Sequence, residues 1–405
     1  MPTFRSREIS VLVDMAGCPN RCRHCWLGCP PNRRVSEETF RWVVQQFREW
    51  VYQGEQEPFA NPLNAMTWYR EPDFASNYRE LYELEKELNG GKATRFELLS
   101  IWRLARDESY AKWAYDVGVS DKGAGEGTQS CQITFFGMEK TTDYFTRRRG
   151  SFRDNLVATE RLLEVGIKPR WQLFLTKLII PELNDLLRLV ESMNLEERVR
   201  DIGGEFDIFI HTPGPDGEAW NIEHLRPDVD VISQIPTYLV EKTKAHFGTS
   251  SVEKSPLTPL LQRGEGGIFP LVKGEETFGY AERDLIPLLL DDSQPYAWQP
   301  EHLAFMVTSD LDVFSNIAEL TPWWRLGNLK TDGISEIMRR FENDETEGMY
   351  AHFHIPISTL ADAYGRRDSR KIYHIGDLKT RLVRQWAQSH IACGLNHREA
   401  GSLPV

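Results

Sequence analysis

No stretch of the 405-residue chain approaches the eighteen or so consecutive apolar residues that a membrane span needs. Nor does its N-terminus carry an apolar run of signal-peptide length. These absences predict a cytoplasmic protein. A basic excess is missing too: the formal net charge is −12, and long-range repulsion from phosphates opposes docking on nucleic acid or anionic lipid. The one basic run, Arg147, Arg148 and Arg149, could meet a single phosphate or carboxylate, but such short runs are usually solvated surface. No tandem repeat points to a solenoid. Cysteine is scarce, with six in the chain, and outside one N-terminal group only Cys131 and Cys393 occur.

What is present is an ordinary folding composition, 40% hydrophobic and 27% charged, close to the usual mix of globular domains. Apolar spacing predicts a strand over 8–16, a helix after Ser36 with Phe40, Val43, Val44, Phe47 and Val51 on one face, a strand over 64–70 and a helix over 74–89. A strand over 95–104 and a helix near Tyr110 follow. Clearer units come next, with strands at 130–138, 170–177 and 206–211 and helices at 152–165 and 183–193. Strands alternating with helices of this length imply right-handed crossovers and a parallel sheet that closes wholly or partly into a barrel. The loops after the strands then share the face that carries chemistry in such folds.

The pattern loosens after about residue 212. We expect one barrel unit over 1–215 and a C-terminal α/β extension over 216–405 that completes or covers it. That extension holds a strand at 302–308, a closing helix at 378–390 and a Pro- and Gly-rich loop at about 253–275.

Four cysteines fall between Cys18 and Cys29, which in a reducing compartment argues for metal binding rather than disulfides. Cys18-Pro-Asn-Arg-Cys22-Arg-His-Cys25 is a C-x3-C-x2-C array that can wrap one soft metal centre. Three thiolates on a four-iron cubane leave one iron open to a small molecule. Cys29 leaves alternatives open. Cys22-x2-Cys25-x3-Cys29-Pro30 matches the tail of a bacterial ferredoxin run, as in an electron carrier with a fully ligated cluster. All four thiols could also make a structural zinc site.

This array after a first strand, with the aromatic-type His24 before its last cysteine, resembles the signature of the radical S-adenosylmethionine (radical SAM) superfamily. The resemblance covers roughly residues 7–213. It implies a partial (β/α)6 TIM-like barrel and a 4Fe–4S cluster on Cys18, Cys22 and Cys25, with S-adenosylmethionine chelating the open iron. Family members end their second strand with Gly-Gly-Glu-Pro, which binds the amino group of S-adenosylmethionine. Here Tyr69-Arg70-Glu71-Pro72 stands in that place, so both glycines are replaced and Glu71 is retained. The run from Asp143 to Phe152 is similar to the segment after the fourth strand in peptide-modifying members, where an arginine such as Arg147 meets the S-adenosylmethionine carboxylate or the substrate. If they point inward, Gln132, Thr134, Gln172, Thr176 and His211 would contact ribose, adenine or substrate. Cys131 and Cys393 are candidates for donating hydrogen to a substrate radical.

The resemblance implies an enzyme that takes an electron from a flavodoxin- or ferredoxin-type reductant and abstracts hydrogen from a peptide or a small polar metabolite. Since the barrel is expected to begin within the first ten residues, a peptide would be recognised by the C-terminal part or by a partner. With Cys393 the only cysteine in that part, an auxiliary cluster there is not expected.

Overall fold

The computed structural model describes residues 8–53, 63–93, 95–120, 129–249, 277–298, 302–316 and 319–392. The expected loop at 253–275 and Cys393 lie outside the described residues. In chain order the elements are β1 (Glu8–Val13), α1 (Glu37–Gln53), β2 (Asn64–Met66), α2 (Tyr78–Leu88), β3 (Arg95–Phe96), α3 (Ile101–Leu104), α4 (Glu108–Val117), β4 (Val119–Ser120), β5 (Ser130–Phe135), α5 (Glu139–Thr146), α6 (Ser151–Val165), β6 (Lys168–Phe174), α7 (Leu183–Ser192), α8 (Leu195–Asp201) and β7 (Asp207–His211). A 3-10 segment (Gly217–Leu225) and α9 (Thr237–Thr249) follow. The remainder holds β8 (Tyr280–Ala281), α10 (Glu282–Leu290), β9 (His302–Val307), β10 (Asp312–Ser315), β11 (Gly327–Asn328), α11 (Ile334–Glu342), α12 (Glu347–His354), α13 (Ile357–Tyr364), β12 (Ile372–Tyr373) and α14 (Ile375–Ala392).

The chain is a mixed α/β fold with parallel sheets. Ile9, Val11, Leu12 and Val13 are buried because β1 is a central strand, parallel to β2 on one side and to β9 on the other. The buried face of α1, with Phe40, Val43, Val44 and Phe47, joins the same core. β10 and β11 then add antiparallel strands outside β9, so residues after 300 build into the sheet that carries the first strand. A second parallel sheet orders β5, β6 and β7 and packs its apolar side against α6, α7 and α8.

Full closure of the barrel and the extents of two strands need correction. Among the described residues the strands do not close into a barrel: β2 and β5 lie in separate sheets. The outer edge of β2 is instead taken by side chains from the end of α2. Asn89 donates to the Ala65 carbonyl at 2.9 Å and accepts from its N–H at 2.8 Å, and Glu85 accepts from Thr67 N at 2.8 Å. These bonds satisfy the edge that a neighbouring strand would otherwise pair. β3 leans the other way, its continuation pairing Glu97 O with Gln132 N at 2.7 Å.

The strand expected over 95–104 covers only Arg95–Phe96, and Ile101–Leu104 is helical. The reason is local: the Ser100 hydroxyl accepts from Arg103 N at 3.2 Å, an N-cap that starts a helix despite the apolar run. The strand expected over 64–70 likewise ends at Met66.

Candidate metal centre

The cysteine loop leaves the C-terminal end of β1 and is held there by three side chains. Asp14 accepts from Gly17 N at 2.8 Å and pairs with Arg70, whose Nε lies 2.6 Å from Asp14 Oδ2. Arg70 also donates to Pro30 O at 2.8 Å, tying the far end of the loop to the near one. Asn32 brackets Cys18, accepting from its N–H at 3.1 Å and donating to its carbonyl at 2.8 Å. Gly17 is required at the turn: its φ is +93°, and an added Cβ would lie 2.1 Å from Asn32 Oδ1, where no side chain fits. A second edge is pinned by α5, where Arg21 N and Arg23 N donate to Thr146 O and Phe145 O at 3.2 and 2.7 Å.

Within this frame Cys18, Cys22 and Cys25 are half-buried and lie close enough to disfavour one another's charge. Burial pushes the Cys18 thiol well up, and the Glu71 carboxylate and Cys22 add to it. Cys22 is pushed well up by burial, then by Cys25 and Glu71, and Cys25 is pushed up to about 12 by burial and then by Cys29. Three thiolates in such a place need compensating positive charge, which is what a soft metal centre brings. Among the described residues no three His, Cys, Asp or Glu side chains converge to hold a single metal ion.

Glu71, at the end of the loop after β2, brings Oε2 to 3.9 Å from Cys18 Sγ. Ser100 donates to its other oxygen at 2.8 Å, and burial raises its pKa to about 7. Behind it, fully buried Arg95 bonds Asp73 at 2.9 Å and Glu85 at 2.7 Å, and Tyr110 OH donates to Asp73 at 2.6 Å. Arg103 clamps the same loop through the carbonyls of Asp73, Phe74 and Ala75 at 2.6, 3.1 and 2.8 Å. The outcome is a braced carboxylate beside the thiols, facing a small cleft lined by Asp14, Trp68, Glu71 and Phe74.

The other predicted residues divide. Gln132, Thr134 and Gln172 share one face of β5 and β6, with Gln132 Nε2 and Thr134 Oγ1 donating to Gln172 Oε1 at 2.8 and 3.1 Å. Arg170 joins this row through Gln132 Oε1 at 2.7 Å. Cys131 does not: it is fully buried and packs with Ile133, Phe135, Ala158 and Leu162 in the helix-side core. The strand alternation that turns Gln132 and Thr134 one way turns Cys131 the other. Thr176 Oγ1 and His211 Nδ1 are buried without a hydrogen-bond partner, as is His24 Nδ1. His24 packs between Phe136 and Phe174 at 4.4 and 4.6 Å, and Phe174 meets His211 at 5.3 Å. Burial lowers His24 to about 3 and His211 to about 4, so both rings are neutral at neutral pH. Unpaired buried polar atoms of this kind fit a site that receives a polar ligand.

Of the basic run, Arg147 turns to Glu218 at 3.3 Å, while Arg148 donates to Asn20 in the cysteine loop at 2.6 Å and lowers the Cys22 and Glu71 pKa values against the effect of burial. Arg148 is also paired with Asp154, so each of these two arginines already meets a carboxylate. Sequence reasoning missed Asp14, Asn32 and Ser100, because their bonds to Arg70, Cys18 and Glu71 join separate segments.

No family model and no curated protein matches the chain. Among solved structures it is similar to native anSMEcpe with bound AdoMet, at 14% identity and a TM-score of 0.47, over 96% of this chain and 100% of that one. It is also similar to Streptococcus suis SuiB bound to precursor peptide SuiA, at 11% identity and a TM-score of 0.34, over 76% of this chain and 58% of that one. Methylornithine synthase (PylB) matches at 12% identity and a TM-score of 0.27, over 53% of this chain and 56% of that one.

Proposed function

We propose that this chain, which resembles the radical S-adenosylmethionine superfamily, is an enzyme that cleaves S-adenosylmethionine reductively and abstracts hydrogen from a substrate carbon. One observation carries the reading: three thiols on a braced loop at the end of β1 stand beside a carboxylate from the end of the next strand, with Glu71 Oε2 3.9 Å from Cys18 Sγ. In this reading Cys18, Cys22 and Cys25 hold a 4Fe–4S cluster. When bound, the cluster and S-adenosylmethionine supply one-electron cleavage of a carbon–sulfur bond to a 5′-deoxyadenosyl radical.

The chain's own residues bind and orient. Glu71, with one oxygen held by Ser100, accepts from the ammonium of S-adenosylmethionine. Arg147, which meets Glu218, or Arg148, which meets Asn20 and Asp154, would take its carboxylate. Gln132, Thr134 and Gln172 offer a polar row, and Thr176 and His211 offer unspent hydrogen-bonding capacity, to ribose, adenine or substrate. Phe136 and Phe174 exclude water from that side. Cys131 has no part in the chemistry.

The substrate is a peptide or a small polar metabolite, the electron comes from a flavodoxin- or ferredoxin-type protein, and the setting is cytoplasmic. The test is 5′-deoxyadenosine formation by anaerobically reconstituted protein under strong reductant, beside a Cys18, Cys22 and Cys25 to Ala triple variant. Product formed only by the intact array supports the enzyme. A loaded cluster without cleavage, with candidate peptides and metabolites present, would return the chain to an electron carrier.

A further inference from the structure

The cysteine loop has a third support, contributed by the far end of the chain. Gly217, the first residue of the 3-10 segment, packs on the backbone of Cys25 and Trp26. Its φ is +55°, and an added Cβ would lie 2.3 Å from Cys25 O and 2.4 Å from Trp26 O. Glu218 N donates to Cys25 O at 2.8 Å, so this turn bonds directly to the residue carrying the third thiol. The turn is in turn gripped at both backbone groups of Gly217. Glu319 accepts from Gly217 N, and Arg384 on α14 donates to Gly217 O at 3.2 Å. Arg384 and Glu319 form an ion pair at 2.6 Å, with the residues 6% and 2% exposed. The Arg384 guanidinium lies near two tryptophan rings, 4.8 Å from Trp220 and 5.3 Å from Trp323.

A buried pair is poor evidence of net stabilisation, since desolvation offsets most of its attraction. What it supplies here is direction: a planar fork stacked near indoles and paired to a carboxylate has one orientation, and both partners spend a bond on one glycine.

We propose that Arg384 is a positioning residue for the cysteine loop: with Glu319 it sets the 217–218 turn against the Cys25 carbonyl and thereby places the Cys25 thiol, which rests on Cys25 being a cluster ligand as proposed above. The C-terminal helix thus completes the metal centre without contributing a ligand.

The test uses the full chain. In cluster-free, reduced protein, alkylation of Cys25 by iodoacetamide is followed by peptide mass spectrometry, with Cys18 in the same molecule as reference. Glu319→Gln/Arg384→Gln removes both charges together and leaves neither buried alone, Gly217→Ala drives a Cβ into the Cys25 carbonyl, and Arg384→Lys keeps the charge. In the first two the ratio of Cys25 to Cys18 reactivity is expected to rise about tenfold through easier local opening. Arg384→Lys is expected to recover part of the change. After reconstitution the first two should also show an altered electron paramagnetic resonance spectrum of the reduced cluster. An unchanged ratio in either folded variant would overturn the proposal, as would an equal rise at both cysteines, which marks general loosening. A wild-type cluster that forms but does not cleave S-adenosylmethionine would sink the enzymatic reading and leave the alkylation ratio standing.

Discussion

Arg70→Ala should damage the cysteine loop and the fold together. The Arg70 and Asp14 side chains are 5% and 4% exposed, and Arg70 also bonds Pro30 O at 2.8 Å. Removing one partner of a buried pair costs about 3–5 kcal/mol, and the lost carbonyl bond adds about 1 kcal/mol. For a chain of 405 residues melting as one unit, the unfolding entropy is roughly 0.85 kcal/mol/K, so a loss of about 5 kcal/mol lowers Tm by about 6 °C. The sign with pH follows from Asp14. Burial already raises its pKa, opposed by Arg70, and without Arg70 it rises further. The folded state then binds the extra proton, so the deficit is greatest at neutral pH and shrinks as pH falls toward the ordinary aspartate value. Anaerobic calorimetry with iron analysis after reconstitution reads both effects. The double variant Asp14→Ala/Arg70→Ala, which strands no charge, should lose less than Arg70→Ala. A single variant within about 1 °C of wild type, or a double variant that loses the sum of the two singles, refutes the reasoning.

Cys29→Ala should load as much iron as wild type and keep the visible spectrum of its cluster, since three thiols suffice; loss of the cluster would make Cys29 a ligand. Glu71→Gln should leave iron content unchanged and weaken S-adenosylmethionine binding by about 10- to 100-fold, the range for a hydrogen bond to a charged group, as measured by equilibrium dialysis. Glu223, 21% exposed in its side chain, ties the 3-10 segment to Arg226, Arg366, Lys371 and Tyr373; burial raises its pKa but these partners prevail and hold it at about 2. Its contribution, on the order of 3 kcal/mol, is present above the ordinary glutamate value and lost as pH falls from there through about 2. Glu223→Gln should therefore lower Tm at pH 7, and wild type and variant should converge as acid is added; a constant gap down to pH 2 would count against it.

The elements themselves were largely legible along the chain. Apolar spacing located β1, α1, β5, α6, β6, α7, β7, β9 and α14 to within a few residues, because that spacing reports which face each segment buries. The cysteine array was legible for the same local reason: its four thiols lie close in sequence. Where a local signal competed, spacing failed, as when the Ser100 cap made a helix of an expected strand. Only the tertiary structure decided the rest. Whether β2 pairs with a further strand turned on Asn89 and Glu85 reaching back to its edge, and the partners of the basic run, Glu218 for Arg147 and Asp154 for Arg148, come from distant and near segments alike. Asp14, Asn32, Ser100, Glu319 and Arg384 support the cysteine loop or Glu71 beside it through hydrogen bonds between separate segments. Such pairings leave no period or spacing in a sequence, since folding alone brings their partners together.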